Sequence, residues 1–169
     1  MIYRFRVILD VEDDVFRDIE IQEEATLEDF HNAITQAFGF DGSEMAAFYD
    51  SDDEWNQGDE YMLFDMGEDD VRKMSEIKLN EVASAQHDRL LYIYDFLSLW
   101  KFLVELMDIA EPDTAVLYPH LVQAHGLVPE EAPETFFESE TGFDEDISLD
   151  DDDEDFDDFD DTSYGMSLN

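Results

Sequence analysis

The sequence contains no cysteine, which excludes disulfides and thiolate chemistry together. Positive charge is nearly as scarce. Only 8 Lys and Arg residues occur among 169, all at or before Lys101, and the 68 residues that follow carry no formal positive charge. Such a chain offers no basic patch with interleaved aromatics, the usual footprint of nucleic-acid binding. It also has no apolar run long enough to cross a bilayer. The N-terminal residues Met1-Ile2-Tyr3-Arg4-Phe5-Arg6 lack the apolar core and small-residue cleavage site of a signal peptide, so a soluble cytoplasmic protein is expected. A phosphate-binding glycine loop and a nucleophile elbow are missing as well.

What is present is acid. The 48 Asp and Glu residues bring the formal net charge to −40. Residues 1–133 hold 32 acidic and 8 basic side chains, a net −24, and residues 134–169 hold 16 acidic and none basic, a net −16. The extreme is 150–161, where ten of twelve residues are carboxylates. Mutual repulsion and scant apolar surface predict a solvated, disordered tail over 134–169. The chain as a whole is 44% hydrophobic and 14% aromatic, too apolar for global disorder, so residues 1–133 are expected to fold as one acidic domain. The field of such a protein opposes direct nucleic acid binding and anionic membrane surfaces, and favours basic proteins and cations. High negative charge also keeps a protein soluble, which is the plainer reading of the same composition.

Along the body, Tyr3, Phe5, Val7 and Leu9 alternate with polar residues, the period of a half-buried strand. Val15–Gln22 reads as its hairpin partner, with Val15, Ile19 and Ile21 inward. A helix follows, with Thr26 as N-cap, Glu28 and Asp29 in its first turn, a stripe of Leu27, Phe30, Ile34, Ala37 and Phe38, and Gly39 as its stop. Short strands are predicted around Met45–Tyr49 and Tyr61–Phe64, separated by an acidic loop, Asp50–Asp59, with a helical turn near Ile77–Val82. Leu90–Tyr94 and Leu99–Ile109 read as a hairpin about Asp95–Ser98, with Trp100, Phe102, Val104 and Leu106 on one face; helical spacing over 97–109 is the alternative. A last strand or edge segment is expected at Val116–Val122, kept from a central position by Pro119. The pattern is α+β: a mainly antiparallel sheet that starts with a β-hairpin, one amphipathic helix packed on one face, and the acidic tail.

Several blocks resemble a known family. Tyr3-Arg4-Phe5-Arg6-Val7 and Val15-Phe16-Arg17-Asp18-Ile19-Glu20-Ile21 are similar to its first two strands, and Thr26-Leu27-Glu28-Asp29-Phe30-His31 with Ala37-Phe38-Gly39-Phe40 to its helix. Tyr94-Asp95-Phe96, Trp100 and Val104-Glu105-Leu106 resemble its most recognisable block, and Tyr118-Pro119 with Gly126-Leu127-Val128-Pro129-Glu130-Glu131 its ending. The chain thus resembles the Ri-plasmid ORF-3-like family over roughly residues 2–132. The resemblance implies a compact α+β domain, sometimes associated with mobile elements, and carries no catalytic residue over. Three departures stand out. The family places Gly-Asp where this chain has Leu97-Ser98, a His where it has Phe102, and a His where it has Glu44. Phenylalanine can neither ligate a metal nor move a proton, so any polar constellation of the family is largely absent here.

Chemistry candidates are few. His120 and His125 are five apart, which fits no common zinc spacing, and His31 reads as a surface residue of the helix. No metal and no cofactor are implied. Tyr94, Asp95 and Trp100 form the best candidate for a small-ligand site, since an aspartate beside aromatics at a strand end can become a raised-pKa acid. The simpler role for Asp95 is to hydrogen-bond the turn, with Trp100 in the core. In the tail, Phe136, Phe137, Phe143, Phe156 and Phe159 are set among carboxylates. Acidic segments with spaced aromatics dock on basic, partly apolar grooves, which marks Phe143, Phe156, Asp157, Asp158 and Phe159 as partner-binding candidates. The leading expectation is therefore a non-enzymatic protein that engages a basic protein partner, in one version as a nucleic-acid mimic. The alternative is an enzyme or small-ligand-binding domain with its site near Asp95 and Trp100.

Overall fold

The computed structural model describes residues 1–64 and 72–132. The acidic tail beyond residue 133, with its phenylalanines, lies outside the described residues. Strands β1 (Ile2–Leu9) and β2 (Phe16–Gln22) precede helix α1 (Leu27–Phe38). Next come β3 (Ala46–Ser51), β4 (Gln57–Met62), the two-residue β5 (Arg72–Lys73), a 3-10 turn at Met74–Glu76 and the short α2 (Leu79–Val82). Strands β6 (Arg89–Tyr94), β7 (Trp100–Ala110) and β8 (His120–His125) complete, among the described residues, one eight-stranded sheet of order β5-β4-β3-β6-β7-β1-β2-β8. Every pairing is antiparallel except β4 with β5. The architecture is α+β, with one main helix on a mainly antiparallel sheet.

Alternation in β1 places Tyr3, Phe5, Val7 and Leu9 in the core, all nearly inaccessible to solvent. Phe5 meets Phe30 of α1 at 4.6 Å between ring centroids, and Phe30 stacks in turn on Phe48 of β3. The helix starts where capping chemistry dictates. Thr26 Oγ1 accepts from the Asp29 amide at 3.1 Å, and the Asp29 carboxylate accepts from the Thr26 amide at 3.0 Å. It ends at Gly39, whose φ of 83° an L-side chain rarely adopts. The segment 97–109 resolves in favour of strand: Trp100, Phe102, Val104 and Leu106 are buried in strict alternation along β7.

Three sequence expectations shift. The acidic loop is shorter than Asp50–Asp59, because β3 runs through Ser51 and β4 begins at Gln57. Asp52 tightens the connection by accepting from the Glu54 and Asn56 amides at 2.9 and 3.0 Å, and Asp50 is held in its strand by the Tyr61 hydroxyl at 3.0 Å. The last strand begins at His120, after Pro119, a residue with no N–H to give to a ladder. It is an edge strand, as expected. His31 is no surface residue: it is only 2% exposed. Leu27, His31 and Thr35 form one row at four-residue spacing, and all three are buried between the helix and the sheet.

Candidate functional site

The corner formed by the end of β6 and the start of β7 holds the sequence-predicted trio. Tyr94 and Trp100 face each other across the two strands, and Asp95 opens the turn between them. The three side chains nevertheless diverge in their contacts. The Asp95 carboxylate accepts from the Leu97 and Ser98 amides at 3.1 and 3.3 Å, and its φ of 66° sets the turn. The Tyr94 hydroxyl donates to Asp41 Oδ1 at 3.0 Å and accepts from the Gly42 and Glu44 amides at 3.1 and 3.4 Å. It therefore fastens the loop after α1 to the sheet. Amide and hydroxyl hydrogen bonds from Ser43 hold the Asp41 carboxyl below its usual range, and burial raises the Tyr94 hydroxyl.

Trp100 is buried, and Phe40 fills the space beside it. The Phe40 ring stacks on Tyr94 at 4.9 Å and lies 5.1 Å from Trp100 and 6.1 Å from Phe102. Phe102, where the resemblance would place a histidine, is fully buried against Phe38 at 4.8 Å and Tyr92 at 5.4 Å. Beneath this layer His31 Nδ1 shares a 2.6 Å hydrogen bond with the Tyr92 hydroxyl. Burial pushes His31 down to about 4 and Tyr92 well above its ordinary value, so both are neutral at pH 7. The corner is an aromatic wall with two internally satisfied polar pairs, Tyr94–Asp41 and His31–Tyr92. The polar atoms of Tyr94, Asp95 and His31 are spent on hydrogen bonds to Asp41, the turn amides and Tyr92.

Surface clefts among the described residues include two that lie elsewhere. One, of about 380 Å³, is bordered by Asp50, Asp52, Asp53, Glu81, His87 and Arg89. Arg89 lies over Trp55 at 4.6 Å, His87 pairs with Glu105 at 2.7 Å, and burial raises the Asp50 carboxyl. The other, of about 250 Å³, runs between α1 and β8, with Ala33, Gln36 and Ala37 on one side and His120 and Leu121 on the other. No group of three or more metal-ligating side chains is found among the described residues. Phe143, Phe156, Asp157, Asp158 and Phe159 lie outside the described residues.

Cations are consumed internally. Asp18, fully buried on β2, receives Arg6 at 2.9 and 3.0 Å and Arg4 at 3.3 Å. Burial alone would raise its carboxyl, but the two guanidiniums outweigh this and hold it below its usual range. Arg72, Lys73 and Arg89 sit within 4 Å of Asp59, Glu76 and Glu105 respectively. Arg17 turns inward and donates to the carbonyls of Phe16, Ala37, His125 and Gly126 at 2.8–3.2 Å. Six of the eight basic side chains are thus engaged, and the outward field is left to the carboxylates. Sequence reasoning missed Phe40, His31 and Asp18. The four-residue row Leu27–His31–Thr35 was the available signal for the second, and Asp18 opposite Arg6 in the hairpin for the third.

The chain matches the family model of the plasmid pRiA4b ORF-3-like proteins over residues 1–162, and it belongs to that family. Comparison with curated proteins gives no match. Among solved structures it is similar to a protein of unknown function from Methanosarcina mazei Go1. The TM-score is 0.65 and the identity 22%, with 76% of this chain and 72% of the other covered. That likeness is one of fold. No helix among the described residues is long and apolar enough to cross a membrane.

Proposed function

We propose that this protein is a non-enzymatic interaction protein whose acidic body and tail engage a basic protein partner. The observation that carries the reading is the filling of the Tyr94–Trp100 corner by Phe40 and Phe102, which supports packing there rather than catalysis or small-ligand binding. An active site needs polar groups converging on an accessible cavity. Here Asp95 serves its turn, and Tyr94 is committed to Asp41. The charge distribution supports the same reading, since most basic side chains are paired within the protein while the chain carries a net −40. In its nucleic-acid-mimic version, carboxylates occupy a groove shaped for phosphates.

The test is capture from native lysate at low salt on the immobilised full chain, with elution by stepped salt. A parallel arm uses a chain carrying Phe156→Ala, Phe159→Ala, Asp157→Asn and Asp158→Asn. The expected result is retention of a protein of high isoelectric point, released by salt and held less well by the variant. Retention of no protein, or only of acidic ones, would contradict the reading.

A further inference from the structure

Strand β8 is an edge with no charged side chain along it. Natural sheets guard their edges with very short strands, charged side chains, prolines, bulges or a covering segment, because an open edge pairs with any strand that reaches it. The opposite edge obeys this rule: β5 has two residues, Arg72 and Lys73, both cationic. Strand β8 has six, His120–His125, all exposed and none an acid, lysine or arginine. It pairs only with β2, with a register shift beside Val122, and no strand among the described residues meets its other side. In a chain carrying 48 carboxylates, residues 114–129 contain no Asp, Glu, Lys or Arg. The run is bracketed in sequence by Glu111 and Asp113 before it and by Glu130 and Glu131 after it. Leu117 and Leu121 are 90% and 45% exposed along it.

The C-terminal end of the strand is fastened to the sheet. Arg17 donates to the His125 and Gly126 carbonyls, His125 stacks on Phe16 at 5.1 Å, and Gly126 (φ 84°) lies too close to Asp14 and Val15 for any side chain. Beside it runs the groove of about 250 Å³ between α1 and Leu121, with Ile19, Ala33 and Ala37 supplying an apolar floor that can take an apolar side chain.

Building on the basic-partner reading above, we infer that β8 is the docking edge, where an extended segment of a basic protein adds as a ninth strand. Main-chain hydrogen bonds to the open edge supply affinity, an apolar side chain in the α1–β8 groove supplies register, and Lys or Arg residues flanking that side chain meet the bracketing carboxylates. A second copy of this chain is disfavoured as occupant, since two chains of net −40 repel.

The test uses the full chain and a synthetic peptide of alternating valine and threonine about a central leucine, with two lysines at each end. Amide hydrogen exchange followed by NMR reads the site, and titration reads the affinity. Exchange at alternate amides of His120–His125 should slow on adding the peptide. Leu121→Lys should weaken binding at least about tenfold, as loss of a central anchor does. Leu97→Lys, the same charge change at an exposed turn across the sheet, should stay within about twofold, since it leaves that anchor in place. Binding with protection elsewhere, or equal weakening by both variants, overturns the docking edge while leaving the basic-partner reading standing. No binding at low salt overturns the docking edge, while the basic-partner reading stands or falls on the capture experiment. Protection of β8 without peptide, in a chain that sediments as a dimer, assigns the edge to a second copy and overturns the inference.

Discussion

His31 shows how one side chain couples burial to pH. Its imidazole is nearly inaccessible, bonded to the Tyr92 hydroxyl, and its pKa falls from 6.5 to about 4 in the folded state. Between those values the unfolded chain binds the proton and the folded one does not. Stability from this group is therefore complete above pH 6.5 and is lost as pH falls toward 4, by about 3 kcal/mol at the lower limit. Denaturant midpoints across that window should drop for the native protein, and the drop should be smaller by this amount in His31→Leu. Equal slopes in the two proteins would show that His31 does not titrate as a buried base. Trp100 makes a second residue-scale case. Packed against Phe40 and only 7% exposed, it should cost about 3–5 kcal/mol on replacement by alanine. A near-neutral value would return the indole to the surface as a binding candidate.

At the scale of elements, Arg17 links three of them. Its guanidinium lies over Phe38 at 4.9 Å while bonding carbonyls at the end of α1 and along β8. Arg17→Met preserves the stem and leaves those carbonyls unpaired. It should cost about 2–3 kcal/mol, in the range of hydrogen bonds to charged groups, and speed amide exchange in β8 before the rest of the sheet. Uniform acceleration would mean that Arg17 supports the fold as a whole. The same elements show what a sequence discloses. The β1–β2 hairpin, α1 and the β6–β7 hairpin were legible because each alternates or repeats against one buried face and ends on a recognisable turn or cap. The β3–β4 connection was misjudged because Asp50 looks like a loop residue until the Tyr61 hydroxyl is seen to hold it in a strand. His31 was misplaced because a polar residue on a helix reads as solvated until Tyr92, sixty-one residues later, is brought against it. The candidate corner was half legible. Its residues were named, yet Phe40 comes from the loop after α1, and no local pattern connects it to Trp100.

For the whole molecule, charge distribution decides the reading. A sheet stiffened by Arg4, Arg6 and Asp18, with most of its cations engaged internally, presents a surface dominated by carboxylates. Such a field accelerates encounter with basic proteins and is screened by salt over about 8–10 Å at ordinary ionic strength. Tail phenylalanines would add contact energy that salt does not screen. The most direct measurement is isothermal titration of the full chain against the captured basic partner at two salt concentrations, with and without Phe156→Ala and Phe159→Ala. The account predicts a steep fall in affinity with salt, and a further loss of about 1–3 kcal/mol in the double variant at an unchanged salt slope. Binding indifferent to salt would contradict the central claim.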